Sequence, residues 1–186
     1  MTEAQVENIV VSCSVSSSLD LPQLSGIIPD AQYNPTEVPA LILQFSAPRS
    51  MAVLSSTGTV IISGPRSMDQ VEEVVNMVMD RLSVAGVELY DEPEIVMQNV
   101  TVSTDLCQNV KLRSLAKSLQ NSEYQPRVFP GLVYKGDDPN TVILLFASGK
   151  MVCNSLSLDT ATVALDKMRE KLLSFGIKME EEACQK

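Results

Sequence analysis

Over residues 71–82 the apolar positions Val71, Val74, Val75, Val78 and Leu82 fall at i, i+3, i+4, i+7 and i+11. That single apolar stripe predicts an amphipathic helix. Ser67 is placed to cap it, Asp69 sits in the first turn where negative charge favours the helix dipole, and Gly86 is a stop signal. A second helix, about 158–174, repeats the pattern with Ala161, Ala164, Leu165, Met168 and Leu172. Elsewhere the period is two. Ile9, Val11 and Cys13 mark one opening strand, and Val100, Val102 and Thr104 another. Each is followed by a short predicted helix, about 19–28 and 110–120, the first tolerating Pro22 in its first turn. Short strands then alternate with turns at Asn34-Pro35, Ala47-Pro48, Thr57-Gly58, Asp138-Pro139 and Ser148-Gly149.

The order strand, helix, several strands, helix therefore occurs twice. At an offset of 91, Asn8 falls on Asn99, Ser12 on Ser103, Tyr33 on Tyr124, Pro35 on Pro126, Pro39 on Pro130, Pro48 on Pro139 and Gly58 on Gly149. After one deletion near Ser155 the offset becomes 90, matching Ser67 with Ser157, Asp69 with Asp159 and Gly86 with Gly176. A period this long means two copies of a half-domain, not a solenoid. The division is 1–90, 91–179 and an acidic tail, 180–186, in which Glu180, Glu181 and Glu182 are expected to be solvated and frayed. Two helices per half cover only one face of a sheet. In the run 142–146, Ile143 and Leu145 are placed to meet helices, whereas Val142, Leu144 and Phe146 point to the other side. An apolar face left uncovered marks a binding surface or a dimer interface.

Composition narrows the chemistry. The chain has 45% hydrophobic residues, enough for a core, and no histidine. The lack of imidazole removes Ser-His and Cys-His dyads and imidazole-ligated metals. Cys13, Cys107, Cys153 and Cys184 form no CxxC pair, which disfavours zinc ribbons and leads us to expect reduced thiols. Neither a signal peptide nor a run long enough to span a bilayer is expected. A formal charge of −9 argues at first against nucleic acid. The charge is unevenly spread, however. Residues 1–90 carry three Lys/Arg against ten Asp/Glu, a net of −7, and residues 91–186 carry eleven against thirteen, a net of −2. The cations belong to the second half.

The segment Phe129-Pro130-Gly131-Leu132-Val133-Tyr134-Lys135, followed by Leu144-Leu145-Phe146-Ala147-Ser148-Gly149-Lys150-Met151-Val152-Cys153, resembles the second repeat of TATA-box-binding proteins. Gln98-Asn99-Val100, Glu123-Tyr124-Gln125-Pro126, Glu7-Asn8-Ile9-Val10 and Tyr33-Asn34-Pro35 extend the resemblance over roughly residues 7–178, and the acidic balance is similar to archaeal members. The resemblance implies an α+β fold of two tandem pseudo-twofold repeats. In it a curved antiparallel ten-stranded saddle carries four helices on its convex side, and its concave face enters the DNA minor groove. The family is a standard example of minor-groove kinking by inserted apolar side chains. It also implies residue roles. Asn8 and Asn99 match an amide pair that donates to the A N3 and T O2 acceptors of A·T pairs. Val10, Ile61, Leu144 and Val152 match apolar groove contacts, with Ser63 and Thr101 beside them. Phe129 and Phe146 match wedges, and Lys135, Lys150 and Arg66 match phosphate contacts. Gln125, Arg127 and Val128 match the surface that meets transcription factor B. Neither a cofactor, a metal nor a catalytic group is implied.

The first half departs from this pattern. Val38 lies opposite Phe129, Ser55 opposite Phe146, Thr59 opposite Lys150 and Gln44 opposite Lys135, with Glu37 beside the wedge position. Each missing cation removes one counterion-release contribution. The expected DNA binding is therefore asymmetric, with the kink at the second repeat. Gln125 and Arg127 stand where glutamates are typical, so either a factor B-like protein or a divergent replacement is the expected partner. Self-association through the apolar saddle is expected when DNA is absent. The place in the cell is cytoplasmic and nucleoid-associated if the chain is archaeal, nuclear if eukaryotic. The alternative reading is a divergent paralogue that binds DNA weakly and acts as an interaction or sequestering module. An enzyme is disfavoured because nothing outside the two repeats supplies a catalytic module; Asp137 and Asp138 read as turn residues.

Overall fold

The structure, a computed structural model, describes residues 3–136 and 138–177. The acidic run 180–182, Cys184 and Asp137, each assigned a role in the sequence reading, lie outside the described residues. The chain divides into two compact units, one of residues 8–98 and the other of residues 1–7 with 99–186. We call them the first-repeat and second-repeat units. Among the described residues they contain ten strands and four helices, the α+β composition expected from the repeat.

In the first-repeat unit the elements are β1 (Gln5–Ser14, which enters the unit at Asn8), α1 (Leu21–Ile27), β2 (Gln32–Asn34), β3 (Val38–Ser46), β4 (Arg49–Leu54), β5 (Thr59–Ser63) and α2 (Met68–Val84). The strand order is β2-β3-β4-β5-β1. In the second-repeat unit they are β6 (Ile95–Asp105, entering at Asn99), α3 (Leu112–Ser118), β7 (Ser122–Glu123), β8 (Leu132–Lys135), β9 (Val142–Leu145), β10 (Lys150–Ser155) and α4 (Leu158–Ser174). Their order, β6-β10-β9-β8-β7, mirrors the first. Within each unit the pairings are antiparallel.

Strand alternation sorts each half-sheet into two faces. Val11, Leu41, Leu43, Ala52, Val60 and Ile62 are buried with Val71, Val74, Val78 and Leu82 of α2. Val102, Leu132, Ile143, Leu145, Met151 and Cys153 are buried with Ala161, Leu165, Met168 and Leu172 of α4. Each fully buried Val or Leu contributes roughly 1.5–3 kcal/mol, so this face is what holds each unit together. Residues 142 and 144 between them are only half-buried, as the alternation requires.

The helix signals act in both copies. Ser67 and Ser157 accept hydrogen bonds from the Gln70 and Thr160 amides, each at 3.2 Å. At the other ends Gly86 (φ 82°) and Gly176 (φ 78°) are left-handed, and the following Val87 and Ile177 amides donate back to Leu82 and Leu172 at 3.0 and 3.1 Å. The short helices are tighter than the predicted 19–28 and 110–120. Asp20 leaves helical geometry to cap α1 through the Gln23 amide at 3.0 Å, and the chain after α1 turns out through Asp30 at φ 62°. Its repeat counterpart Asn121 does the same at φ 59°, a conformation that Asp and Asn tolerate better than most residues. Cys13 and Cys153 are free and buried; burial raises both thiol pKa values, that of Cys153 to about 11. Cys107 is disulfide-bonded, which corrects the expectation of reduced thiols at that position.

Candidate nucleic-acid interface

The face turned away from the helices carries the candidate residues, unit by unit. In the first-repeat unit Val10 pairs with Ser63 across β1 and β5, and Ser12 with Ile61. Ile61 is 46% exposed and also pairs with Val53 of β4. The Asn8 side-chain carbonyl accepts the Gly64 amide at 2.7 Å. That bond settles which end of the amide is free: the NH₂ group remains as a donor, the polarity that a groove lined with acceptors requires. Arg66 is exposed in the turn before α2, where its backbone amide donates to Gln70 Oε1 at 2.9 Å.

In the second-repeat unit Asn99 is half-buried, and no bond like that of Asn8 holds its side chain among the described residues. Val152 pairs with Leu144 and with Ser103, putting two apolar side chains and a hydroxyl in one row. Phe129 and Phe146 meet edge to face, with ring centroids 5.8 Å apart and planes at 64°, a preferred aromatic geometry. Gly131 makes room for them: a Cβ there would stand 2.7 Å from Phe129 Cε1 and 3.2 Å from Phe146 Cε1. Both rings are half-buried and lie on the face opposite the core. The repeat-related first-unit positions offer much less. Val38 is 46% exposed, and the Ser55 hydroxyl is engaged with Thr57 Oγ1 at 2.5 Å.

Charge differs too. Lys150 lies 4.0 Å from Glu7, and Glu7 also accepts the Ser103 hydroxyl at 2.6 Å. The lysine that matches a phosphate contact thus has an acidic neighbour on the same face. A half-exposed ion pair of this kind is worth little in water, roughly 0–1 kcal/mol. Lys135 is exposed at the end of β8. Gln125, Arg127 and Val128 form an exposed turn closed by the Val128 and Phe129 amides, both donating to the Gln125 carbonyl at 2.9 Å; Val128 is 81% exposed at its tip.

Sequence reasoning missed four residues of this face. Asn154 pairs with Thr101 and accepts its hydroxyl at 2.7 Å. Val53 occupies the first-repeat place of Leu144, and Gly131 and Glu7 shape the Phe129–Phe146 pair and the Lys150 neighbourhood. The offset of 91 already set Asn154 opposite Ser63 and Val53 opposite Leu144, so for those two the signal was present. For Glu7 it was not, because its contacts with Ser103 and Lys150 span most of the chain.

Among the described residues no group of His, Cys, Asp and Glu has the arrangement of a metal site, and no helix is long and apolar enough to cross a membrane. The family model described as "Transcription factor TFIID (or TATA-binding protein, TBP)" matches residues 3–85 and 94–175. A TATA-box-binding protein of Thermococcus sibiricus is 38% identical, over 97% of this chain and 98% of its own. That of Archaeoglobus fulgidus is 35% identical, over 93% and 96%. The solved Methanococcus jannaschii TBP superposes with a TM-score of 0.85 at 32% identity, covering 93% of this chain and 99% of that one. With two matched repeats and relatives aligned almost end to end, the chain belongs to the TATA-binding protein family.

Proposed function

We propose that the chain is a general transcription initiation factor that binds A/T-rich promoter DNA through the minor groove, with the second repeat as its principal anchor. It is a DNA-binding factor and not an enzyme, in keeping with its family. The observation that carries the asymmetric reading is the Phe129–Phe146 pair, 5.8 Å apart on the outward face, against Val38 and Ser55 at the related first-repeat positions. Two phenyl rings supply apolar area that offsets the unstacking of a base step, roughly a few kcal/mol; a valine and a serine do not. Asn8, whose amide NH₂ is oriented as a donor, and Asn99 read acceptors. Val10, Ile61, Leu144 and Val152 exclude the guanine amine, with Ser63 and Thr101 beside them, and Lys135, Lys150 and Arg66 hold phosphates.

The exposed turn bearing Gln125, Arg127 and Val128 is the docking point for a factor B-like partner. Its lost acidity matches a partner surface less basic than usual. Without DNA, the outward apolar face is where two copies would meet. In an archaeal cell the factor would sit on the nucleoid.

Titration of an A/T-rich duplex and a G/C control across a salt series tests the reading. Specific binding that Phe146→Ala largely abolishes supports it. Equal kinks at both ends of a solved complex would remove the asymmetry. The second reading, a paralogue acting mainly through protein contacts, is favoured by the Glu7–Lys150 pair and the acidic first repeat. Absence of binding at low salt would establish it instead.

A further inference from the structure

The two repeats differ at one register position in a way that bears on which bases each accepts. Val10 and Ser63 are cross-strand neighbours in the first-repeat unit, and Thr101 and Asn154 are their counterparts in the second. All four lie on the face away from the helices, since the adjacent Val11, Ile62, Val102 and Cys153 are buried. In the second repeat the Thr101 hydroxyl donates to Asn154 Oδ1 at 2.7 Å. This bond fixes the polarity of both groups. The Asn154 NH₂ is left as a donor, and the Thr101 oxygen, its proton spent, presents lone pairs as an acceptor.

An A·T edge in the minor groove shows only acceptors, whereas G·C adds the guanine amine, a donor, between them. A donor standing beside an acceptor therefore meets both features of a G·C edge. The first repeat has no such pair. Val10 presents an isopropyl group that would strand the amine without a partner, and Ser63 is left with a single freely rotating hydroxyl to serve both as donor and as acceptor, the two roles that separate, mutually fixed groups fill in the second repeat. A buried polar group left unmet is what makes a wrong base costly.

We propose that the second repeat tolerates a G·C pair at the step under Thr101 and Asn154, while the first repeat rejects one at the related step. The preferred element is then A/T-rich with one permissive half. This inference rests on the DNA-binding reading above and deepens it.

The test uses the full chain and a self-complementary A/T duplex, with affinities read by fluorescence anisotropy. Because a chain of two related repeats can bind such a duplex in either orientation, one G·C replacement at the critical step should be met by the second repeat and weaken binding by less than about threefold. Replacing both mirror-related pairs forces one onto the first repeat and should weaken binding about tenfold or more, in the range usual for one mismatched pair. Thr101→Val with Asn154→Ser should make the single replacement cost about tenfold. Val10→Thr with Ser63→Asn should make the double replacement tolerable. Thr101→Val alone, which keeps the side-chain shape, should move the single-replacement penalty in the same direction if the larger change unfolds the unit. The inference is overturned if the single replacement already costs tenfold in the unaltered chain, if the double replacement binds like the parent, or if the variants leave both penalties unchanged. Failure to prefer the parent duplex over a G/C control would instead remove the DNA-binding reading itself, and this inference with it.

Discussion

The first-repeat and second-repeat units share a scaffold and differ in surface chemistry. Ser67 and Ser157 cap the long helices with the same bond, and Gly86 and Gly176 end them with the same left-handed turn. Gly58 and Gly149 take φ 81° and 97° at the same hairpin. On the outward face the likeness ends: two packed phenyl rings and two lysines in one unit stand against a valine, a serine, a glutamine and a threonine in the other. Groups that set backbone geometry are constrained by the fold and so persist in both copies. Groups on the outward face carry no such backbone constraint and are free to differ between the copies.

The largest effects are expected at the shared scaffold. Gly58→Ala and Gly149→Ala should each cost about 3 kcal/mol or more of unfolding free energy in denaturant titrations, because left-handed geometry disfavours a side chain and the new Cβ would collide with the backbone carbonyl of Ser16 or Gln108. Similar losses are expected in both units; a large loss in one alone would show that the scaffolds are not equivalent. Next comes the wedge. Phe146→Ala should weaken A/T-duplex binding by about 2–3 kcal/mol, roughly 30- to 150-fold, whereas Ser55→Ala should change it by less than about twofold. Equal effects in the anisotropy assay would mean that the first repeat anchors DNA by other groups.

Ser67→Ala and Ser157→Ala should each lower stability by about 1 kcal/mol with DNA affinity retained, measured by paired denaturation and binding curves. The smallest effect is expected at the cations. Lys150→Ala should reduce the slope of log affinity against log salt by somewhat less than one, because Glu7 already offsets part of the lysine charge. Thr59→Lys in the first repeat should raise it by about one. A full unit lost at Lys150 would show that the Glu7 contact does not persist in the complex.

Much of this was legible in the residue string. The stripe from Val71 to Leu82 and the period-two strands located α2, α4 and the opening strands, because those patterns reflect burial on one side of a repeating backbone. The short helices end inside the ranges the pattern predicts, since the apolar Leu19 and Leu119 are buried without being helical. The motif singles out Phe129 and Phe146 but says nothing of their packing. That Gly131 leaves room for both rings depends on strands β8 and β9 lying side by side, which spacing along the chain does not state.

The duplication, the element order and the different residues at repeat-related outward positions follow from local pattern and internal alignment alone. The polarity of the polar groups, by contrast, is fixed by three-dimensional contacts. The Asn8 amide is oriented by Gly64, Asn154 by Thr101, and Lys150 has Glu7 for a neighbour. Hydrogen bonds act over about 3 Å, and these partners are separated by 53 to 143 positions along the chain. Pairing at that range is set by strand register, which has no signature in any one segment.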